Sequence, residues 1–359
     1  MSIEKRTGTK KPRWRVRWRE GGKHHSRTFS TRKDAVEFEA SVNRRAELGA
    51  HAPGPVSTDQ IGAWLDAWQR LRRPEWAETT YRQRDGDLKK WVRPLIGHVS
   101  LKDFGPQQAR AFRALMQDMG ATPNTQNRVM RVLSAALGDA VANDMIPANP
   151  CAGIRPAKVA PKRPRALTPD QIEAIRAAMT RVDDRLIVSL IGYAGLRPGE
   201  VCGLTWGQIG TDAIVVDRSA QLGKIVTTKT GKTRTVALIA PLADELAAFR
   251  RGRHDDALVV PDAQHGSRIR NWHNWSQRQF KPAARAAGVR CVPYDLRHSF
   301  ASLLIHEGRS IGYVSAQMGH ASQTLTLQHY SHWFDEAALR TRAGLSELVA
   351  DARGQRTAT

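Results

Sequence analysis

The chain has 359 residues, 41% of them hydrophobic, so it can build packed cores; this excludes a disordered chain, and two or three domains are expected. Its 56 Lys+Arg against 34 Asp+Glu leave a formal charge of +22, more than solubility requires, which favours nucleic acid as partner through Coulomb attraction and counterion release. No apolar run approaches a membrane span and Met1–Arg6 has no signal-peptide core, so a cytoplasmic protein without a membrane partner is expected.

Residues 1–33 hold twelve Lys/Arg and two acids. Within them Arg13-Trp14-Arg15-Val16-Arg17-Trp18-Arg19 alternates with period two. This predicts a strand with Trp14, Val16 and Trp18 on one face and Arg13, Arg15, Arg17 and Arg19 on the other. Glu20-Gly21-Gly22-Lys23 reads as a turn and His25 to Phe29 as a returning strand. From Thr31 a helical pattern takes over (Ala35, Val36, Phe38, Val42, Ala46) and ends near Gly49. A small sheet on a helix, with one arginine-lined face, suits a groove of duplex DNA; the local charge favours this over a merely solvated face. Residues 50–56, with Pro53, Gly54 and Pro55, read as a linker.

Four helical patterns follow. Ser57-Thr58-Asp59-Gln60 reads as a capping box for a helix with Ile61, Trp64, Leu65, Trp68 and Leu71 on one face. A second helix is expected from about Ala77 to Val92, ended by Pro94. A third starts at Pro106 and carries Ala109, Phe112, Leu115 and Met116. The fourth starts after Thr122-Pro123 and aligns Met130, Leu133, Leu137, Ala140 and Val141. Together they predict a helical bundle up to about Pro150. Its basic residues (Arg82, Arg84, Lys89, Lys90, Arg93, Arg128, Arg131) fit a DNA backbone or a solvated surface equally well.

Residues 155–165 contain Arg155, Lys158, Lys162, Arg163 and Arg165, three prolines and no acid, a stiff basic linker able to lie along a phosphate backbone. Thr168-Pro169-Asp170-Gln171 then caps the first helix of a last domain. Helices are expected near 169–180 and 184–194. Strands are expected at 213–216, 224–229 and 233–238, the last two joined by a hairpin turn at Thr230-Gly231-Lys232. Helices return at about 241–250, 271–287, 295–307, 311–317, 322–331 and 335–349, before a polar tail at 351–359. Cys151, Cys202 and Cys291 lie too far apart to form a disulfide framework or a zinc knuckle. The fold class expected is therefore multidomain and mainly α, with small β-sheets.

The chemistry concentrates late in the chain. Arg297, His320 and Tyr330 offer a phosphate clamp, a hydrogen-bond or proton donor and a nucleophile. Upstream, Gly195-Leu196-Arg197-Pro198-Gly199-Glu200 interrupts a helix and restarts it, because Pro198 suits a first helical position; Arg197 thus stands at a helix entry. Lys229 ends a strand at a hairpin tip. Standing alone, Arg197 is a surface arginine at a turn and Lys229 a solvated turn residue.

In this order and spacing, Arg197-x-x-Glu200, the hairpin Lys229, Arg297 opening a helix, Gly319-His320 and Tyr330 ten residues later resemble the catalytic set of the tyrosine recombinases, the phage integrase family. The resemblance covers nearly the whole chain. It implies an arm-type DNA-binding domain at 1–50, a helical core-binding domain at 57–153 ending Ile146-Pro147-Ala148-Asn149-Pro150, a basic linker at 154–166 and a mixed α+β catalytic domain at 167–350. It also implies a site-specific DNA recombinase of a phage or mobile element, acting on DNA in a bacterial cell. Tyr330 would attack phosphorus to give a 3′-phosphotyrosyl bond, Arg197 and Arg297 would each donate two hydrogen bonds to phosphate oxygens, Lys229 would protonate the leaving 5′-oxygen, His320 would hydrogen-bond the phosphate, and Glu200 would hold a basic neighbour. No metal, ATP or other cofactor is implied. Expected partners are double-stranded DNA at core and arm-type sites, three further copies in a homotetramer, and accessory DNA-bending or directionality proteins.

One position departs from the family pattern. The family places histidine three residues before the second arginine, where this chain has Tyr294; His298, just past Arg297, is not that histidine. A tyrosine donates or accepts a hydrogen bond but is a poor base at neutral pH. Tyr294 is therefore expected to keep a phosphate- or tyrosine-positioning hydrogen bond, with the base elsewhere or supplied by water. Of the other tyrosines, Tyr81, Tyr193 and Tyr313 fit packing faces. A type IB topoisomerase-like enzyme and a catalytically silent DNA-binding regulator remain the alternatives.

Overall fold

The computed structural model describes residues 2–6, 13–20, 23–36, 38–39, 59–160, 164–227, 233–264, 266 and 268–335. They fall into two compact units, Met1–Pro161 and Lys162–Thr359. Several expectations lie outside the described residues: Lys162, Arg163, Lys229 and its turn, the linker at 50–56, Ser57, Thr58, the helix beyond 335, the tail, and the side chains of Arg13 and Arg19.

In the first unit, three antiparallel strands lie in the order β1 (Ser2–Arg6), β2 (Arg13–Glu20) and β3 (Lys23–Phe29). The register sets Trp14 opposite Phe29, Val16 opposite Arg27 and Trp18 opposite His25, so these six share one face. Val16 is buried there. Phe38, in the helical stretch that α1 (residues 32–36) opens, meets the rings of Trp18 and Phe29 at 5.2 and 5.0 Å; the rest of the helix expected up to Gly49 lies outside the described residues. The other face carries Arg15 opposite Thr28 and Arg17 opposite Ser26, with Glu4 beside Arg17 at 3.3 Å. Strand β1 had no sequence signal, because Ile3 is its one apolar residue.

The helices of this unit are α2 (Ile61–Arg72), α3 (Glu78–Asp87), α4 (Arg93–Ile96), α5 (Pro106–Asp118) and α6 (Pro123–Ala142). Helix α2 starts at Gln60 without a side-chain cap; the amides of Ile61 and Gly62 donate instead to Val99 O (2.9 Å) and Gly97 O (2.7 Å). Tertiary contacts thus take over the role expected of a capping box. Pro94 does not end the second helix as expected. A π-turn at Leu88–Val92 joins α3 to α4, with the Arg93 amide bonding Leu88 O, and the wider turn accommodates the proline ring. The same device recurs at Ser276–Phe280, ahead of Pro282. The apolar core runs from Ile61, Leu65 and Trp68 to Phe112, Leu133 and Leu137, with Gln69, Asp87 and Gln126 also buried in this unit. Several basic residues are paired within the unit: Arg128 with Asp87 (2.7 Å), Arg93 with Asp66 (2.8 Å) and Lys89 with Asp85 (2.8 Å). The start of the linker is tied down too, since Asn127 exchanges two hydrogen bonds with the backbone of Ala157 at 2.9 and 2.7 Å.

The second unit contains α7 (Pro169–Ala177), α8 (Val182–Ala194), α9 (Pro198–Gly203), β4 (Ala213–Val216), β5 (Arg218–Gln221), β6 (Lys224–Thr227), β7 (Arg234–Ala237), α10 (Ala240–Arg250), α11 (Trp272–Trp275), α12 (Lys281–Ala286), α13 (Pro293–His306), α14 (Ile311–Met318) and, to the end of the described residues, a helix α15 over 323–335. Thr168 and Gln171 form the expected capping box on α7. Helices α8 and α13 pack together and bury Leu186, Ile187, Leu190, Ile191, Leu296, Phe300 and Ala301. Each such large apolar side chain contributes about 1.5–3 kcal/mol. Asp183 and Asp184 in the first turn of α8 both bond the buried Arg270, and Trp275 donates to Asp184 at 2.9 Å.

The strands are paired differently from expectation. β6 pairs with β5 through a tight turn at Leu222-Gly223, whose φ values are 51° and 75°, while β7 pairs with β4. Two positive φ values in succession are the geometry of a two-residue hairpin. Strand β5 is polar and half-buried along its length, so no apolar alternation marked it. Burial of Val236 and Ile214 on one side of β4–β7 decides the other pairing.

Candidate active site

The site is built around the C-terminus of α14. The last carbonyls of a helix lack intrahelical donors and carry the negative end of the helix dipole, so they attract cations. Here three successive carbonyls each bind a different arginine. Gln317 O accepts from Arg234 Nε (3.1 Å), Met318 O from Arg297 Nη2, and Gly319 O from Arg197 Nη2 (2.6 Å). Gly319 adopts φ +60°, and a Cβ there would sit 2.8 Å from Arg234 Cδ. The glycine is needed both to end the helix and to let the arginine pass.

Arg197 occupies the N-cap of α9, with Pro198 at the first helical position. Glu200, on the first turn, accepts from the Arg197 amide (2.8 Å) and from its Nη1 (2.9 Å). The same carboxylate receives both Nη atoms of Arg234, at 2.8 and 2.6 Å. Glu200 is 3% exposed. Burial alone would raise its pKa, but the Arg234 fork, the Arg197 amide and the Arg197 charge outweigh this and hold it at about 2. The basic neighbour expected for Glu200 therefore proves to be two arginines. Arg234 was missed, although it shares the inward face of its strand with Val236, where a charged residue calls for a partner.

Arg297 lies at the start of the second turn of α13 and is 0% exposed. Its two Nη atoms donate to Gly195 O and Met318 O, and its Nε is buried without a hydrogen-bond partner. Gly195 ends α8 at φ +61°, and a Cβ there would lie 2.2 Å from the Phe300 ring. Burial, reinforced by the charge of Arg197, pulls the Arg297 pKa below the ordinary guanidinium value; it remains a cation at neutral pH. Each Nη thus gives one hydrogen bond to a protein carbonyl, and Arg297 is not among the residues that line the cleft.

The cleft itself encloses about 830 Å³ and is lined by Arg165, Arg197, Arg290, Tyr294, His298, His320, His329 and Tyr330, among others. Tyr330, on α15, is 1% exposed and stacks on Trp333 with centroids 5.1 Å apart. Burial raises its pKa above the ordinary tyrosine value, and Arg297 and Arg197 oppose the rise. His320 follows Gly319 directly; its Nδ1 is 2.7 Å from Thr326 Oγ1 and its ring stacks on Tyr330. Burial, then Arg297 and Arg197, push the His320 pKa down to about 4, so it is neutral at neutral pH.

The hydrogen-bond partner of the Tyr330 hydroxyl is His298, whose Nδ1 lies 2.8 Å from Oη. Tyr294 does not fill the tyrosine-positioning role expected of it. It is 45% exposed, and its ring meets His298 edge-on at 5.0 Å. Helical spacing explains the arrangement, because Tyr294 and His298 are one turn apart on α13 and share a face. That spacing was legible in the sequence. That the shared face points at Tyr330 was not.

The cleft thus joins Arg197, His320 and Tyr330 over a buried Arg297, while Lys229, Lys162 and Arg163 lie outside the described residues and Arg15, Arg17 and Lys158 belong to the first unit.

Residues 165–337 match the family model described as the phage integrase family. The tyrosine recombinase XerC of Xylella fastidiosa is 31% identical over 266 residues, 70% of this chain and 84% of that protein. The chain belongs to this family. It is a tyrosine site-specific recombinase. Among solved structures, the Tn1549 transposon integrase in complex with a circular intermediate DNA superposes with a TM-score of 0.67 at 20% identity, over 79% of this chain and 99% of that one. A lambda integrase tetramer bound to a Holliday junction superposes at 0.62, also at 20% identity, over 86% of this chain and 93% of that one. The expected fold class, mainly helical with small sheets, is the observed one.

Proposed function

We propose that this recombinase is the integrase of a phage or other mobile element, and that it cuts and rejoins duplex DNA through a 3′-phosphotyrosyl bond to Tyr330. The observation that carries the reading is the cleft, in which the buried Tyr330, its hydroxyl bonded to His298, shares the lining with Arg197 and His320, with the charge of Arg297 buried close by. A phosphodiester carries charge on its two non-bridging oxygens and more of it in the transition state. Cations held in place before the reaction stabilise that charge without reorganising. Arg197, 38% exposed along its side chain, reaches the phosphate; Arg297 supplies positive potential from below. The neutral His320 donates a hydrogen bond to a non-bridging oxygen. Glu200 and Arg234 are positioning residues that hold the Arg197 fork.

In the forward step a lone pair of Tyr330 Oη forms the bond to phosphorus and the bond to the 5′-oxygen breaks. Lys229 protonates that oxygen as it leaves. The bond energy stays in the protein–DNA link, so the released 5′-hydroxyl can reverse the step on a new strand. The arginine face with Arg13, Arg15, Arg17 and Arg19 would read arm-type sites, and Lys158, Lys162 and Arg163 would follow the backbone between domains. A homotetramer on two core sites is the working assembly, in line with the tetramer named for lambda integrase. Accessory DNA-bending or directionality proteins would set its direction.

The test is a nicked duplex built from the sequences flanking the gene, which traps the covalent intermediate when the cut strand diffuses away. Wild type should become covalently linked to the DNA, and Tyr330→Phe should bind the duplex without linking. Absence of an adduct, or one that survives in Tyr330→Phe, would refute the proposal.

A further inference from the structure

We propose that His298 is the base that takes the Tyr330 proton, so that proton acceptance has moved one helical turn along α13 from the position held by Tyr294. This rests on Tyr330 being the nucleophile. His298 Nδ1 lies 2.8 Å from Tyr330 Oη, the only reacting oxygen the protein contributes. The imidazole is held from two sides: the Tyr294 ring meets it edge-on at 5.0 Å, and the Tyr330 ring at 5.7 Å and 69°. It also lines the cleft, so the proton is passed beside the place where phosphate would lie. Geometry of this kind is the first requirement for a general base.

Charge supplies the second requirement. Burial, His329 and Arg297 push the His298 pKa down to about 4, so at neutral pH the ring is neutral. A neutral imidazole has one nitrogen with a free lone pair. With the tyrosine hydroxyl protonated, that nitrogen is Nδ1 and the ring proton sits on Nε2. The groups facing His298 are Tyr294 and Arg297 on its own helix, His329 and Tyr330 on α15, and, across the cleft, His320 and Arg197. An entering phosphodiester brings negative charge against Arg297 and Arg197. That raises the basicity of His298 just when Tyr330 must give up its proton.

The step balances. The Oη lone pair becomes the bond to phosphorus, the bond to the 5′-oxygen breaks, and the Oη proton ends on Nδ1 as imidazolium. The departing 5′-oxygen takes its proton from Lys229. On rejoining, the 5′-hydroxyl attacks phosphorus and returns its proton to Lys229, while Tyr330 leaves and recovers its own from His298.

The experiment uses the full chain and the nicked duplex above, with single-turnover adduct formation as readout. His298→Asn keeps a hydrogen-bonding group near the Nδ1 position but cannot act as a base; His298→Ala removes both. If His298 is the base, each variant binds the duplex within about threefold of wild type yet links to it slower by about 10² or more. The residual rate of each should rise about tenfold per pH unit between pH 6 and 8, where wild type is flat, because hydroxide must then remove the proton. A rate for His298→Asn within about threefold of wild type would overturn the assignment and leave His298 a positioning residue. Loss of duplex binding by both variants would overturn it in favour of a structural role. If wild type itself forms no Tyr330 adduct, the nucleophile assignment fails first and this one with it.

Discussion

Glu200→Gln removes one charge from the centre of the arginine cluster while keeping its shape. The carboxylate is buried and receives four donors, two from Arg234 and two from Arg197. Depression of its pKa from 4.5 to about 2 corresponds to about 3 kcal/mol of stability at neutral pH. This matches the range for breaking a buried ion pair and stranding its partner, about 3–5 kcal/mol. In a unit of this size such a loss lowers Tm by about 6–12 °C. The sign in pH is fixed by the direction of the shift. A carboxylate whose folded pKa is depressed contributes fully above its unfolded value, near 4.5, and loses the contribution as pH falls towards about 2. The difference between wild type and Glu200→Gln should therefore be about 3 kcal/mol at pH 7 and shrink to about half or less by pH 3. Denaturant unfolding across that pH range measures both quantities. A variant within about 0.5 kcal/mol of wild type at pH 7, or a difference unchanged down to pH 3, would refute the account of the cluster.

The other predictions bear on single parts of the site. Arg297→Lys keeps a charge but cannot bridge Gly195 O and Met318 O at once; adduct formation should fall by about 10² or more, measured in the nicked-duplex assay with binding as control. Gly195→Ala adds a Cβ against the buried Phe300 ring at a positive φ, and thermal unfolding should show a loss of about 2 kcal/mol or more. Tyr294→Phe keeps the ring that backs His298 and should form adduct within about threefold of wild type, whereas Tyr294→Ala should slow it by about tenfold. A tenfold loss in the Phe variant would return a chemical role to the Tyr294 hydroxyl.

Much was legible in the sequence because it depends on local rules. Period-two alternation in Arg13–Arg19 placed a strand and its two faces, and Thr168 with Gln171 announced a capped helix. Gly195-Leu196-Arg197-Pro198 marked an interrupted helix, and Gly319-His320 stood between two expected helices. The order of Arg197, Arg297, His320 and Tyr330 pointed to phosphoryl transfer and to the family before any contact was known. These features are carried by neighbours a few residues apart, and spacing alone encodes them.

Only the tertiary structure decided how those residues meet. Three arginines from three distant segments converge on the end of one short helix, because its unbonded carbonyls are the nearest acceptors for buried guanidinium groups. Nothing near Arg234 in the chain says that its partner is Glu200, nor does His298 reveal from its own helix that Tyr330 will fold against it. Strand pairing followed the same rule: burial of Val236 on Ile214 outweighed the nearer hairpin partner. A residue's type and spacing set what it can do. Which proton or charge it faces is set by burial, since a polar group withdrawn from water must take whatever partner the fold brings within reach.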